Sequence, residues 1–364
     1  MKWNSNKNAQ ADGGDRTGEK ARTVGKIRGG RHTAEIGKSL ASIGLALLIG
    51  ALFILLAGES PVKAYGSLIQ GALGTPQSLA NTISKSIPLA FTGLAVAMGS
   101  RCGMLNIGAE GQLHAGAMAS VITALYFSAL PAPLLLVISI LAGIAAGMLV
   151  GSVPGIFKAR FSTNEVIVAI MLNYICTLFT SYLVNGPFKT EGSTAQTELI
   201  AEGIWFGKLV PRTQLTYALF LLLFVAAAMY IFLWKTYQLR AVGANPSASG
   251  TAGIRVNMFL IMSMTISGGI AALAGITEVF GKYHRFIEGF SPSFGFTGIA
   301  VAILGRNHPA GVLLTALLFG IMDMGSLRMS RETMVSTNMV TVIQSLVILL
   351  VAAPELIKWS RKRG

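Results

Sequence analysis

An all-α, polytopic membrane helical bundle is the fold class this sequence predicts, and three observations predict it. Hydrophobic residues make up 52% of the 364 and charged residues only 12%, about half the charged share of a soluble domain. The apolar residues gather in runs near the ~20 that a helix needs to cross a hydrocarbon core. The 42 glycines suit helices that approach closely in lipid. The core of such a chain is built from helix contacts, so length says little about domain number.

The elements follow in order. Residues 1–38 are polar and basic without an apolar period, and read as a disordered cytoplasmic tail rather than a secretory signal. Gly-Asp-Arg-Thr-Gly-Glu-Lys at 14–20 lacks the ending and the preceding strand of a phosphate loop. The membrane domain is 39–357, with about ten spans: Leu40–Ala57, Ile83–Ser100, Met104–Leu130, Leu134–Phe157, Glu165–Val184, Leu215–Trp234, Asn257–Phe280, Phe296–Gly305, Ala310–Ser326 and Met339–Ala353. The third is long and expected to break near Gly108 or Gly111. The eighth is short enough to be re-entrant instead of spanning. A basic tail, 358–364, closes the chain.

The net charge of +14 raises nucleic acid as a partner, but the cations sit at span ends and in the tails. Of the 29 Lys and Arg, 20 fall on the segments assigned to the inner side. That is the positive-inside pattern, and with an even span count it puts both termini in the cytoplasm. Cys102 and Cys176 have no CxxC partner or histidine cluster, which leaves metal and redox chemistry unsupported. No Gly-x-Ser-x-Gly elbow or His-Glu-x-x-His is present, and His32, His114, His284 and His308 are scattered. Nothing points to an enzyme.

Two packing signals stand out. Gly143, Gly147, Gly151 and Gly155 recur every four residues, which stacks them on one helix face for close contact. Gly-Leu-Ala-Val-Ala (93–97) is echoed by Gly-Ile-Ala-Val-Ala (298–302), with Arg101 and Arg306 at matching offsets. Membrane sequence produces such echoes by chance as well as by duplication.

Function is sought where polar groups enter apolar sequence. Asn106, Glu110 and Gln112 lie within seven residues of one another beside three glycines. Hydrocarbon cannot solvate them, so they face a cavity or neighbouring helices. They mark either a route for a polar solute or a helix break satisfied by neighbours. Asn164 and Glu165 open the fifth span, where an N-cap and a favourable dipole also account for them. Asn173 lies about two turns further in and needs a partner helix or water. Glu278 and Asp323 fit pairing with Lys282 or Arg328 better than a role in a path. In the loop 239–255, Asn245 and Pro246 form a helix start and Gly253 a stop, giving a helix of about two turns or an ordinary loop.

Asn-Ile-Gly-Ala-Glu-Gly-Gln (106–112), Asn-Glu-Val-Ile-Val-Ala-Ile-Met-Leu-Asn-Tyr (164–174) and Arg-Ala-Val-Gly-Ala-Asn-Pro-Ser-Ala-Ser-Gly-Thr-Ala-Gly-Ile (240–254) resemble bacterial ABC importer permeases. The similar group is that for nucleosides and simple sugars, related to ribose and branched-chain amino acid permeases. The match runs from about residue 40 to the C-terminus. The resemblance implies a plasma-membrane transport subunit working by alternating access, for a nucleoside first and a pentose or other simple sugar second. It implies ABC ATPase subunits that bind the ATP, a second permease that is related but not identical, and an extracytoplasmic substrate-binding lipoprotein. No cofactor, metal or nucleic acid is implied on this chain. Asn106, Glu110, Gln112, Asn164, Glu165 and Asn173 would be candidates for the path. Gly243, Ala244, Asn245, Pro246, Ser247, Ala248 and Gly253 would form the coupling segment seated in an ATPase groove. Ser247 and Ser249 depart from the Ala common there. An ion-coupled secondary carrier is the rival class, and a membrane scaffold the third.

Overall fold

The computed structural model describes residues 44–45, 47–56, 58–333, 335–346 and 349. The predicted tails at 1–38 and 358–364 and the far end of the tenth span lie outside the described residues. The chain runs through α1 (Leu47–Leu56), α2 (Pro61–Leu73), α3 (Pro76–Arg101), α4 (Ala109–Tyr126), α5 (Ala132–Phe161), α6 (Glu165–Asn185), α7 (Ala218–Lys235), α8 (Tyr237–Ala244), α9 (Pro246–Thr251), α10 (Val256–Glu278), α11 (Phe294–Leu304), α12 (Pro309–Glu332) and α13 (337–346). A π-helical turn, Val279–Tyr283, extends α10.

Burial sorts these helices into a centre and a rim. Across their apolar windows α3 is 83% and α10 72% buried, against 17% for α6. α3 and α10 are therefore central pillars, and α5, α6 and α7 show Leu141, Leu149, Leu178, Phe179 and Phe224 outward. A helix apolar on all sides belongs in lipid on its outer face.

Local sequence explains the starts and stops. Thr75 caps α3 by accepting from Ser78 N at 3.0 Å, with Pro76 at the first position. Pro88 removes a donor inside α3, and Thr92 Oγ1 bonds the carbonyls of Pro88 and Phe294 at 3.0 Å each. α5 ends at Ser162, whose φ of 51° turns the chain out of the helix.

The glycine stripe faces α10, as its four-residue period predicts. A Cβ on Gly147 would lie 2.5 Å from the Gly268 carbonyl oxygen, and one on Gly151 2.6 Å from that of Met264. Gly143 meets the carbonyl of Gly116 on α4. The two echoed segments also pack together: Gly93 abuts Val301, and Gly298 abuts Thr92.

Described helical residues fall within each of the ten predicted spans, and among the described residues six helices are long and apolar enough to cross a membrane, or seven if α1 and α2 form one bent span. The third span breaks at Gly108, leaving α4 with 18 residues that include Glu110, Gln112 and His114. The eighth is only the 11-residue α11. α2 was not anticipated, because 13 residues is too short for a spanning signal. It lies along α12, where Gly71 fits against Arg328 and Gly325 against Leu68.

Candidate functional site

The break before α4 puts a helix N-terminus inside the bundle, where its free N–H groups have no water. Two asparagines supply partners. Asn106 Oδ1 accepts from Gly108 N at 3.0 Å. Asn173, reaching from α6, accepts from Gly111 N and donates to the Ile107 carbonyl, both at 2.8 Å. Asn106 and Gln112 then bond each other twice, at 2.8 and 3.1 Å. Asn106 Nδ2 also donates at 2.7 Å to Ser267 Oγ on α10, which donates at 2.5 Å to the Ala95 carbonyl on α3. One amide cluster thus ties α3, α4, α6 and α10. Asn106 and Gln112 have no exposed surface, and Asn173 has 5%.

Glu110 joins a second internal helix start. Its Oε2 accepts from Gly295 N, in the first turn of α11, at 2.5 Å, so its charge meets the positive ends of α4 and α11 together. His114 Nε2 lies 3.5 Å from its other oxygen, and the imidazole meets Phe290 edge-on with ring centres 5.0 Å apart. Glu110 is 8% exposed.

Asn164 and Glu165 are remote from this cluster. Asn164 caps α6 by accepting from Val166 N at 2.9 Å, and Glu165 pairs with Lys158 at 2.9 Å.

The charged residues set aside as structural form a second group. Lys282 Nζ is 3.1 Å from Glu278 Oε2, and Gln344 Nε2 donates to Asp323 Oδ1 at 2.8 Å. Lys85 interacts with Lys282, Glu278 and Asp323. Arg328 pairs instead with Glu332. The group draws on α3, α10, α12 and α13, and its two cations and two anions balance. At 1.5 Å per residue, Lys85 stands ~24 Å from the Arg101 end of α3. Lys85 is the functional candidate that the sequence concealed: α3 starts at Pro76, which puts Lys85 inside the helix instead of at its edge.

Above this group the loops fold inward. Trp205 stacks on His284 at 3.8 Å and donates its ring N–H to the Ile200 carbonyl at 3.0 Å. Burial holds the His284 imidazole below its ordinary value; the Phe280 carbonyl works against this, and the charges of Lys208 and Arg285 reinforce it. Glu288 accepts from Ser181 Oγ and, at 2.9 Å, from Asn185 Nδ2. These bonds hold its carboxyl below the usual carboxylate range, against the small opposing effect of burial.

At the other end of the bundle α9 forms as its cap predicts. Asn245 Oδ1 accepts from Ala248 N at 3.0 Å, and Pro246 opens the helix. Gly253, at φ 81°, stops it. Ala244, Asn245, Pro246, Ser247, Ala248 and Gly253 are exposed, while Ser249 is buried. Gly243 presses on the turn after α3: a Cβ there would lie 2.5 Å from the Arg101 carbonyl oxygen. The exposed helix is therefore joined through α8 to the turn that follows α3.

Comparison with known proteins agrees with this architecture. Residues 78–352 match the family model described as the branched-chain amino acid transport system permease component. The chain is 33% identical to the nucleoside ABC transporter permease NupB of Lactococcus lactis, over 90% of this chain and 93% of that protein. It is 36% identical to the guanosine ABC transporter permease NupP of Bacillus subtilis, over 88% and 94%. It is 32% identical to the glucose ABC transporter permease TsgB13 of Haloferax volcanii, over 88% of each. With that match and these helices, the chain belongs to the family of permease components of branched-chain amino acid transport systems, as a multi-pass membrane protein.

Proposed function

We propose that this chain is the membrane-spanning subunit of an ATP-driven importer, and that its cargo is a purine nucleoside. The observation that carries the reading is the near-full-length similarity to two nucleoside permeases. The protein lies in a bacterial plasma membrane with both termini and α9 on the cytoplasmic side. ATP binds and is hydrolysed on ATPase subunits that receive α9, so this chain itself holds no cofactor. A second, different permease completes the path, and a lipoprotein delivers cargo at the opposite face.

In this scheme closure of the ATPases moves α9. Gly243 transmits the motion to the turn Arg101–Gly103 and so to α3, which carries Lys85 at its far half. Cargo passes the charge-balanced group of Lys85, Glu278, Lys282, Asp323 and Gln344. Its carboxylates accept from sugar hydroxyls and exocyclic amines, and its ammonium and amide groups donate to ring nitrogens and oxygens. Zero net charge suits an uncharged hydrogen-bonding solute, since a lone charge at this depth would trap or repel ions. The amides Asn106, Gln112 and Asn173, with Glu110, seal and align the helices beside the path. Asn164 and Glu165 fix the start of α6.

Uptake of labelled guanosine into vesicles holding the full set of subunits tests this. Uptake is expected to require ATP and to persist with an ionophore. Excess unlabelled nucleoside is expected to compete and glucose not to. Lys85→Met should lower uptake per folded transporter by ~10-fold or more, the value of one hydrogen bond to a charged group. Uptake without ATPase subunits that collapses with the ionophore would establish a secondary carrier. Competition by glucose alone would establish the sugar reading that TsgB13 represents.

A further inference from the structure

Near α9 lies a pocket that the transport scheme does not use. A cavity of about 170 Å³ opens among the end of α3, the end of α7, α8 and the start of α12. Its polar and aromatic lining is Arg101, Tyr230, Trp234, Arg240 and His308. Arg101 Nε donates to the Asn307 carbonyl at 2.9 Å, which fixes its guanidinium. Arg240 is close enough to act on it electrostatically. No Asp or Glu lines the pocket, and among the described residues no carboxylate pairs with either arginine. Two like charges side by side, one of them held in place, favour an anion between them.

The surroundings name the kind of anion. Three apolar helices begin or end here, α3 at Arg101, α7 at Lys235 and α12 at Pro309. Trp234 is 72% and Tyr230 53% exposed, and aromatic rings standing out at the end of an apolar helix mark the level of lipid headgroups. Phe220, Leu223, Phe224 and Ile231 continue an exposed apolar strip along α7, with room for acyl chains. A soluble anion would need neither the rings nor the strip.

We infer that this pocket holds the phosphate of an anionic phospholipid, with the headgroup between Arg101 and Arg240 and its chains along α7. Basic pockets between spanning helices are known places for such headgroups. The site adjoins the contact of Gly243 with Arg101, so the lipid braces the joint between α9 and α3. The inference needs α9 to lie at a membrane surface and does not depend on the cargo.

The test is native mass spectrometry of the full chain with its co-purifying subunits, with added phosphatidylglycerol, phosphatidylcholine or inorganic phosphate. Phosphatidylglycerol adducts are expected to survive where phosphatidylcholine adducts do not. Arg240→Gln, at an exposed position that folding tolerates, should weaken phosphatidylglycerol about fivefold, one basic side chain's share of the attraction to an anionic leaflet. Lys235→Gln, at the same helix end but outside the pocket, should leave it unchanged. Equal loss in both variants would overturn the site in favour of diffuse attraction. Inorganic phosphate binding as well as the lipid would make it a soluble-anion site. Unchanged lipid adducts with loss of the ATPase subunits from Arg240→Gln would make it a protein contact.

Discussion

Replacing Asn106 by Ala separates a sealing role from a path-lining one. The side chain makes four hydrogen bonds: to Gln112 in both directions, to Ser267 Oγ, and from Gly108 N. Taking ~0.6 kcal/mol for each bond, the average for bonds between helices in lipid, four amount to ~2.4 kcal/mol. The Gln112 amide, with no exposed surface, then loses its partner, which costs ~1–3 kcal/mol more. The expected loss is ~3–5 kcal/mol, enough to shorten the thermal half-life of the complex by about a hundredfold or more where that cost is felt in unfolding. Half-life is the proper readout, because membrane complexes unfold irreversibly. Uptake per surviving complex should stay near wild type. Asn106→Ala with Gln112→Leu should recover part of the stability, since removing both partners leaves no orphan. Unchanged half-life with uptake abolished would refute the argument and put Asn106 in the path.

Three further outcomes are expected. Glu110→Gln keeps an acceptor for Gly295 N and should assemble and transport, whereas Glu110→Ala orphans that N–H and should lower folded yield on size exclusion; failure of transport in well-assembled Glu110→Gln would show that the charge itself is used. Gly147→Val forces side-chain atoms against the Gly268 carbonyl, a backbone atom that cannot swing aside, and should cost ~1–3 kcal/mol and folded yield; Gly66→Ala, with nothing within 4 Å, should not. Glu288 is held below its ordinary value, so its contact with α6 contributes above about pH 4 and fades as pH falls through the lower folded value. Spin labels on α6 and the 284–290 loop should show their distance distribution broadening in acid for wild type, and no such pH response in Glu288→Gln.

What the sequence made legible follows from what periodicity encodes. A four-residue glycine repeat names a face before its partner is known, and α10 is where that face goes. Asn245 and Pro246 encode a local cap, and local geometry is sufficient to form α9. Residue type at 106, 110 and 112 encodes only the need for polar partners. Whether water or protein supplies them depends on Ser267, 161 residues away, and on Asn173, 62 residues beyond Gly111. Glu278 and Lys282 are four apart on one helix, so their pairing was readable, while Lys85 comes to them only through the packing of α3 on α10. An apolar run does not show how its polar interruptions are met: α4 carries Glu110, Gln112 and His114 buried among its neighbours, and α11 is only 11 residues long.

The two internal helix starts bear on the cargo. A helix N-terminus inside a membrane attracts anions, and transporters with broken helices use it for anionic substrate groups. Here both are occupied by the chain itself: Asn173 and Asn106 fill the start of α4, and the Glu110 carboxylate fills that of α11. A cargo phosphate or carboxylate would have to displace the asparagine amides or the Glu110 carboxylate to bind there. The remaining charged group, around Lys85 and Asp323, sums to zero. An anion would gain at its lysines what it lost at its carboxylates. In the proposed path such a group would select by hydrogen-bonding pattern and not by charge, which would separate a nucleoside from its phosphorylated form and make an inability of nucleoside monophosphate to compete for uptake the signature of this arrangement.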